Sequence, residues 1–287
     1  MSPAFLIAWA FVLGACIGSF LNVCIARWPA ELSVVKPRSR CPQCKREIAW
    51  YDNLPILSWI LLRAKCRGCG LGISVQYPLV ELIVGIVWAA SVYQFGLGLT
   101  GVRVAVFVTI LLGIAITDAK HYLIPDGFTV SGLVFVLVTA LVAGFRLEPS
   151  PFAGPWAAIV GACAGAGAVS IIGWLGEVAL KKEAMGFGDV TLMAVVGGAV
   201  GPGRALLVLF LGAALGAAAF ALVVYPVVRL RRAPAGTAPA DVEGTDAAAG
   251  QSLPHVPFGV FLAPAAVVAL LWGDELISWY LNRMVTG

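Results

Sequence analysis

The chain has 287 residues, 60% of them hydrophobic and 12% charged, with mean hydropathy +0.94 and a formal net charge of +4. A soluble domain carries roughly a quarter charged residues, so this composition excludes an ordinary soluble protein and indicates an all-α polytopic membrane protein. The apolar runs are continuous rather than alternating, which excludes a transmembrane β-barrel.

A bilayer crossing takes about 20 apolar residues. Eight stretches are predicted spans, at roughly 3–27, 78–98, 101–120, 126–146, 154–180, 189–201, 203–229 and 257–280, the sixth being short. If the segment after the first span is cytoplasmic, fifteen of the nineteen Lys and Arg lie inside and only Arg103, Arg146, Arg204 and Arg283 lie outside. That asymmetry has the sense the positive-inside rule requires. It also accounts for the net positive charge, so no nucleic-acid partner is needed. Both termini then face out.

The first span lacks a Lys or Arg near its start, so it reads as a retained helix rather than a signal peptide. Near its inner end, Gly18-Ser19-Phe20-Leu21-Asn22-Val23 offers small and hydrogen-bonding residues. These serve either helix packing or a polar lining near a site.

Residues 28–77 form the one sizeable hydrophilic segment with sequence complexity. It contains Cys41-Pro42-Gln43-Cys44 and Cys66-Arg67-Gly68-Cys69. Two such knuckles at this separation are a zinc-ribbon pattern. Four thiolates close a tetrahedral shell, so the expected Zn2+ is structural. Two disulfides are the competing reading, which a cytoplasmic location opposes. Between the knuckles, Trp50-Tyr51-Asp52-Asn53-Leu54-Pro55 mixes aromatics with turn formers and suits a membrane surface. Cys16, Cys24 and Cys163 lie in apolar spans and read as small buried hydrophobes.

Tyr77-Pro78-Leu79-Val80-Glu81-Leu82 opens the second span. Glu81 is either a favourable acid near a helix N-terminus or, given its apolar neighbours, a functional group. The third span ends in Asp118, followed by a short loop to Pro125-Asp126, where Asp126 is placed to cap the fourth span. His121 reads as an interfacial polar residue. The fifth and seventh spans are rich in Gly and Ala, which favours close helix packing. Residues 231–254 are Ala/Pro/Gly-rich and read as a flexible cytoplasmic linker. The domain organisation is therefore a first helix (1–27), a tetracysteine domain (28–77) and a membrane core (78–287) carrying that linker.

The stretch with the most chemistry is Met185-Gly186-Phe187-Gly188-Asp189, between two apolar runs. An ionisable group at such a boundary is a functional-site hypothesis by default. Gly186 and Gly188 leave room for backbone or substrate to approach Asp189. Asp118 is placed the same way at the same side of the membrane. Brought together by helix packing, Asp118 and Asp189 would share a proton and activate water, because two close carboxylates do not both ionise easily.

These segments, together with Pro257-Phe258-Gly259 and in this order, resemble the prepilin peptidase family, also called type IV leader peptidases, over nearly the full length. The resemblance implies a bacterial inner-membrane aspartic endopeptidase with Asp118 and Asp189 as the catalytic pair. It implies type IV prepilins or type II secretion pseudopilins as partners, cut after the leader's glycine at the cytoplasmic side. Members with four such cysteines commonly also N-methylate the new N-terminus with S-adenosylmethionine. Glu81 and Asn22 are the candidates here for a methyl-donor or substrate site. The 231–254 linker is longer than the family's usual one, and His255 interrupts the approach to Pro257-Phe258-Gly259.

Three other readings compete. Presenilin-like proteases share a Gly-x-Gly-Asp motif but not the tetracysteine head. A proton or cation transporter would use buried carboxylates as relays, and would be expected to show internal repeats. A scaffold with vestigial aspartates is the third.

Overall fold

The computed structural model describes residues 2–146, 150–181, 185–226 and 257–286. The expected linker at 231–254, the end of the predicted seventh span and His255 lie outside the described residues. Among the described residues nine α-helices follow in order: α1 (Pro3–Arg27), α2 (Leu57–Leu61), α3 (Gln76–Phe95), α4 (Leu99–His121), α5 (Asp126–Arg146), α6 (Pro155–Leu180), α7 (Phe187–Val200), α8 (Pro202–Ala219) and α9 (Gly259–Thr286). Among the described residues the only β pairing is two isolated bridges, both in the segment between α1 and α3.

Among the described residues, seven helices are long and apolar enough to cross a bilayer. The predicted sixth span is α7, and at 14 residues it rises about 21 Å, short of a hydrocarbon layer about 30 Å thick. Gly201 ends it with φ 85, a conformation open to glycine, and Pro202 then starts α8.

A helix that ends inside the bundle leaves carbonyls without partners. Here they find them. The Ala153 N–H donates to the Ala199 carbonyl at 2.8 Å, and Arg204 Nε donates to the Val200 carbonyl at 2.8 Å. The loop carrying Ala153 is itself pinned by Arg103. That side chain is 1% exposed, donates to Thr139 and Ser150, and lies 4.1 Å from the centre of the Phe152 ring. Arg103 was expected as one of four outer basic residues. It stands near the start of α4, at the end opposite Asp118, and is buried within the bundle, where it organises the approach to α6.

The small residues of the fifth span do what their composition predicts. A Cβ built on Gly161 would lie 2.1 Å from the Gly197 carbonyl oxygen, and one on Gly197 would lie 2.1 Å from that of Gly161. The backbones of α6 and α7 therefore touch. Gly212 of the seventh span likewise accepts Leu262 of α9. Of the three span cysteines, Cys24 is buried as expected, whereas Cys16 and Cys163 are exposed on their helices. Apolar all-round helices carry no sequence mark of which face looks outward, so the expected burial of those two fails.

The end of the bundle that carries the head also carries the aspartates. Trp28, just past α1, packs edge-on against Phe128 of α5 with centroids 4.4 Å apart. Lys120 of α4 donates to the Gln76 side chain at the start of α3.

The α6–α7 contact gives a direct test. Gly197→Val should drive the purified protein into aggregate on size-exclusion chromatography in detergent. Gly167→Val, at a position with nothing within 4 Å, should keep a single symmetric peak.

Candidate active site

Asp118 occupies the last turn of α4, where the Tyr122 N–H closes the helix onto the Asp118 carbonyl at 2.9 Å. Tyr122 adopts a left-handed conformation and turns the chain back toward α5. Asp189 sits in the first turn of α7, and its own N–H donates to the Gly186 carbonyl at 3.1 Å. The two carboxylates come from helices far apart in sequence and lie close enough to interact electrostatically. Asp118 is 5% exposed, while Asp189 is half-buried.

Ile124 explains how they converge. It is buried in the turn after α4, against both Gly188 and Gly259. A Cβ on Gly188 would lie 2.9 Å from Ile124 Cβ, and one on Gly259 would lie 3.2 Å from Ile124 Cδ1. The same Cβ on Gly259 would stand 2.8 Å from Asp118 Oδ2. Gly188 thus sets how near α7 comes to the Asp118 turn, a close approach that a side chain would prevent. Gly186 is exposed beside Asp189, with a Cβ there reaching Asp189 Oδ2 only at 3.9 Å, so that flank of the carboxylate has room. The chemistry available to such a pair is general acid–base activation of water against a carbonyl.

Asp126 is the first residue of α5 and is exposed. It faces a cleft of about 540 Å³ between Trp28–Ser33 and Leu123–Gly127, which also carries Glu31.

The four cysteines come together as the spacing predicts. None of the seven cysteines is paired in a disulfide, and the four knuckle sulfurs gather in one cluster rather than in two bonded pairs. The sulfur atoms of Cys41, Cys44, Cys66 and Cys69 all lie within 4.8 Å of one another, and Cys41 Sγ is 3.6 Å from Cys69 Sγ. A tetrahedral zinc with Zn–S near 2.3 Å places its sulfurs about 3.8 Å apart, so the cluster is compatible with the metal. The two knuckles are built alike. Lys45 and Gly70 close them in left-handed conformations, with N–H groups donating to the Cys41 and Cys66 carbonyls. Backbone N–H groups of Cys44 and then Gln43 favour the Cys41 thiolate and, against opposing desolvation, hold that thiol down at about 6. This is the form a metal needs.

The head is braced within itself and tied to the membrane helices, which are also bonded to each other beneath it. Arg67, inside the second knuckle, forms a two-pronged ion pair with Asp52 at 2.7 to 3.1 Å. Asn22 Nδ2 donates to the Tyr77 carbonyl at 3.1 Å, and Ile56 N–H donates to Glu81 Oε2 at 2.7 Å. Glu81 is thus no simple helix-terminus acid. It is buried in α3 and anchors the head segment between the knuckles. Ile56 carries φ 62, which a β-branched residue rarely adopts, and the Glu81 bond helps hold it there.

Between head and helices lies a cavity of about 460 Å³. Ser19, Asn22 and Glu81 line it from the membrane side, and Asp52, Trp59 and Arg67 from the head. The Asn22 Oδ1 atom is buried and has no hydrogen-bond partner. A buried acceptor without a donor is an uncommon expense, and in a cavity it marks a place for a ligand N–H or O–H. Sequence reasoning named Asn22 and Glu81 but gave no reason to put them in one cavity. It missed Ile124 and Gly259 as neighbours of the aspartates, although Pro257-Phe258-Gly259 stood out as a segment.

The comparisons with known proteins agree with this geometry. A family model described as "Bacterial Peptidase A24 N-terminal domain" matches residues 12–95, and one described as "Type IV leader peptidase family" matches residues 105–222. The chain is 31% identical to a prepilin leader peptidase/N-methyltransferase of Stutzerimonas stutzeri, over 98% of this chain and 96% of that one. It is 30% identical to a protein of the same name from Bacillus subtilis (strain 168), over 95% of this chain and 96% of that one. A Myxococcus xanthus protein, also so named, is 43% identical over 65% of this chain, and that match spans about half (54%) of the relative's length. No solved structure matches the chain.

The cluster predicts about one zinc per chain in protein purified without added metal, read by inductively coupled plasma mass spectrometry. Cys66→Ser should lose the zinc and lower the thermal midpoint, since metal binding in so small a head is also folding free energy. An unaltered metal content in Cys66→Ser would show that the cluster is not the ligand set.

Proposed function

Because the chain belongs to the type IV leader peptidase family, we propose that it is a membrane-embedded aspartic endopeptidase that removes the leader of type IV prepilins or pseudopilins after a glycine, and then N-methylates the new N-terminus. The observation that carries the peptidase half is the convergence of Asp118 and Asp189 around Ile124 at the head-bearing end of the bundle. One carboxylate takes a proton from water as the water oxygen attacks the scissile carbonyl carbon. The other donates its proton to the carbonyl oxygen. Collapse of that intermediate breaks the peptide bond and returns a proton to the leaving amine.

Three features support the substrate assignment. Gly186 is exposed beside Asp189, which leaves an extended backbone room to enter. The neighbouring cleft carries Glu31 and Asp126, of opposite sign to a basic leader. Exposed apolar side chains over the outer faces of the spans suit a substrate whose own helix stays in the bilayer. The positive-inside asymmetry supports a cytoplasmic location for this end in the inner membrane.

The cavity between head and helices is the proposed methyl-donor site. Its size is within the range of small-molecule sites. Its donor set fits S-adenosylmethionine: the Glu81 carboxylate and the unpartnered Asn22 Oδ1 would hold its amino group, and Trp59 would flank its adenine. Bound there, S-adenosylmethionine would supply an electrophilic methyl group for a primary amine. The zinc cluster supports this site mechanically, by holding the loops that form one wall of the cavity.

Co-expression with a prepilin followed by intact-mass measurement tests both halves. The unaltered chain should yield a shortened, singly methylated pilin. Asp118→Asn and Asp189→Asn should each slow cleavage by at least about 10³-fold. Asn22→Leu should leave cleavage intact, abolish the added methyl and remove the calorimetric heat of S-adenosylhomocysteine binding. A full-length pilin from the unaltered chain would return the transporter and scaffold readings to the front.

A further inference from the structure

The last helix does more than complete the bundle. Phe258 stands at the N-cap of α9, its carbonyl accepting from the Phe261 and Leu262 N–H groups at 3.0 and 3.1 Å. A phenylalanine has no side-chain acceptor, so it cannot satisfy the free N–H groups of the first turn. Asp118 does so from another helix. Its Oδ2 accepts the Val260 N–H at 3.3 Å, across 142 residues of sequence. The bond is possible because residue 259 is glycine: a Cβ there would lie 2.8 Å from Asp118 Oδ2 and 3.3 Å from its Cγ.

From this contact, and resting on the peptidase reading above, we propose that Gly259 and the Val260 amide are positioning residues for Asp118. The N-terminus of α9 fixes one carboxylate oxygen of Asp118, and Gly259 is the residue whose lack of a side chain permits it. Asp189 needs no such partner, because it already sits in the first turn of its own helix, α7. Both carboxylates thereby stand at helix N-termini, one by sequence and one by docking, where backbone N–H groups favour an anion.

The atom that a Cβ at 259 would meet is the far end of a rotatable side chain, not backbone. Gly259→Ala should therefore fold while displacing Asp118 Oδ2. The effect should appear in kcat for leader removal, a fall of about ten- to a hundredfold as expected for a misplacement near 1 Å. KM for the prepilin should stay within about twofold, since substrate binding would be untouched. Methylation of a pilin supplied already shortened, and zinc content, should not change. Val260→Pro removes the same N–H and puts a ring carbon in its place, at a position in the first helical turn where proline is tolerated. It should give the same kcat loss. Gly203→Ala, with nothing within 4 Å, is the control and should cleave normally.

A readout independent of cleavage is amide hydrogen exchange across residues 258–262, which should quicken in Asp118→Ala. Unchanged kcat in both Gly259→Ala and Val260→Pro would overturn the proposal. So would loss of methylation and zinc along with cleavage in both, which would mean a general packing role. Unchanged exchange in Asp118→Ala would overturn the contact itself. If the unaltered chain leaves the leader in place, the functional reading fails and the kinetic part of the proposal fails with it. The exchange result still judges the Asp118–α9 contact in that case.

Discussion

Inside a bilayer a polar group has no water to bond, so the protein must provide every partner from its own chain. Helix α7 concentrates that demand, because it begins near one membrane boundary and stops short of the other. Its last carbonyls are satisfied by Ala153 from the loop before α6 and by Arg204 from α8. That loop is in turn held by Arg103 of α4 through Ser150 and the Phe152 ring. Three separate segments therefore converge on the far end of α7. The glycine contact between α6 and α7 fixes its lateral position. With its far end and one flank set, the near end has little freedom, and the near end carries Asp189.

Helix α4 is the complementary strut. Arg103 lies near its start and Asp118 in its last turn, both buried. A buried arginine with no carboxylate partner among the described residues is costly to hold. Here the cation lies over an aromatic face and donates to two hydroxyls, which lowers that cost. The same helix thus engages the C-terminal end of α7 through the Arg103 loop and the N-terminal end through Asp118 and Ile124. Two aspartates contributed by separate helices can stay registered only if the helices are locked at both ends, and these are the locks.

Much of this was legible in the sequence, and the parts that were not share a physical cause. Residue type and spacing identified the spans, the tetracysteine head and the two aspartates, because each rests on a strong local signal: apolar length, knuckle spacing, a charge at a hydrophobic boundary. What stayed hidden depends on helix rotation. Cys16 and Cys163 face outward and Arg103 inward, yet all three sit in helices apolar on every side. Nothing in such a run marks the inner face. The Glu81–Ile56 bond and the contact of Gly259 with Asp118 are long-range pairings whose partners carry no local signature. Gly259 stood out only within a short motif, and the sequence offered no reason for a glycine there.

The two proposed chemistries occupy different parts of the molecule, and their order follows from the bonds involved. The aspartate pair is built by α4, α7 and α9, whereas the cavity is built by α1, α3 and the head. The groups are joined by the Trp28–Phe128 contact and by Lys120 reaching Gln76, so neither moves freely past the other. In an uncleaved prepilin the nitrogen that becomes the new N-terminus is an amide, whose lone pair is delocalised into the carbonyl. It is no nucleophile toward a methyl group. Only hydrolysis at the aspartates frees it as an amine. Methylation must then follow cleavage whatever the relative speed of the two sites, and the shortened substrate must shift from one to the other along the face they share. A head anchored through Glu81 to the same bundle keeps the second site within reach of the product of the first.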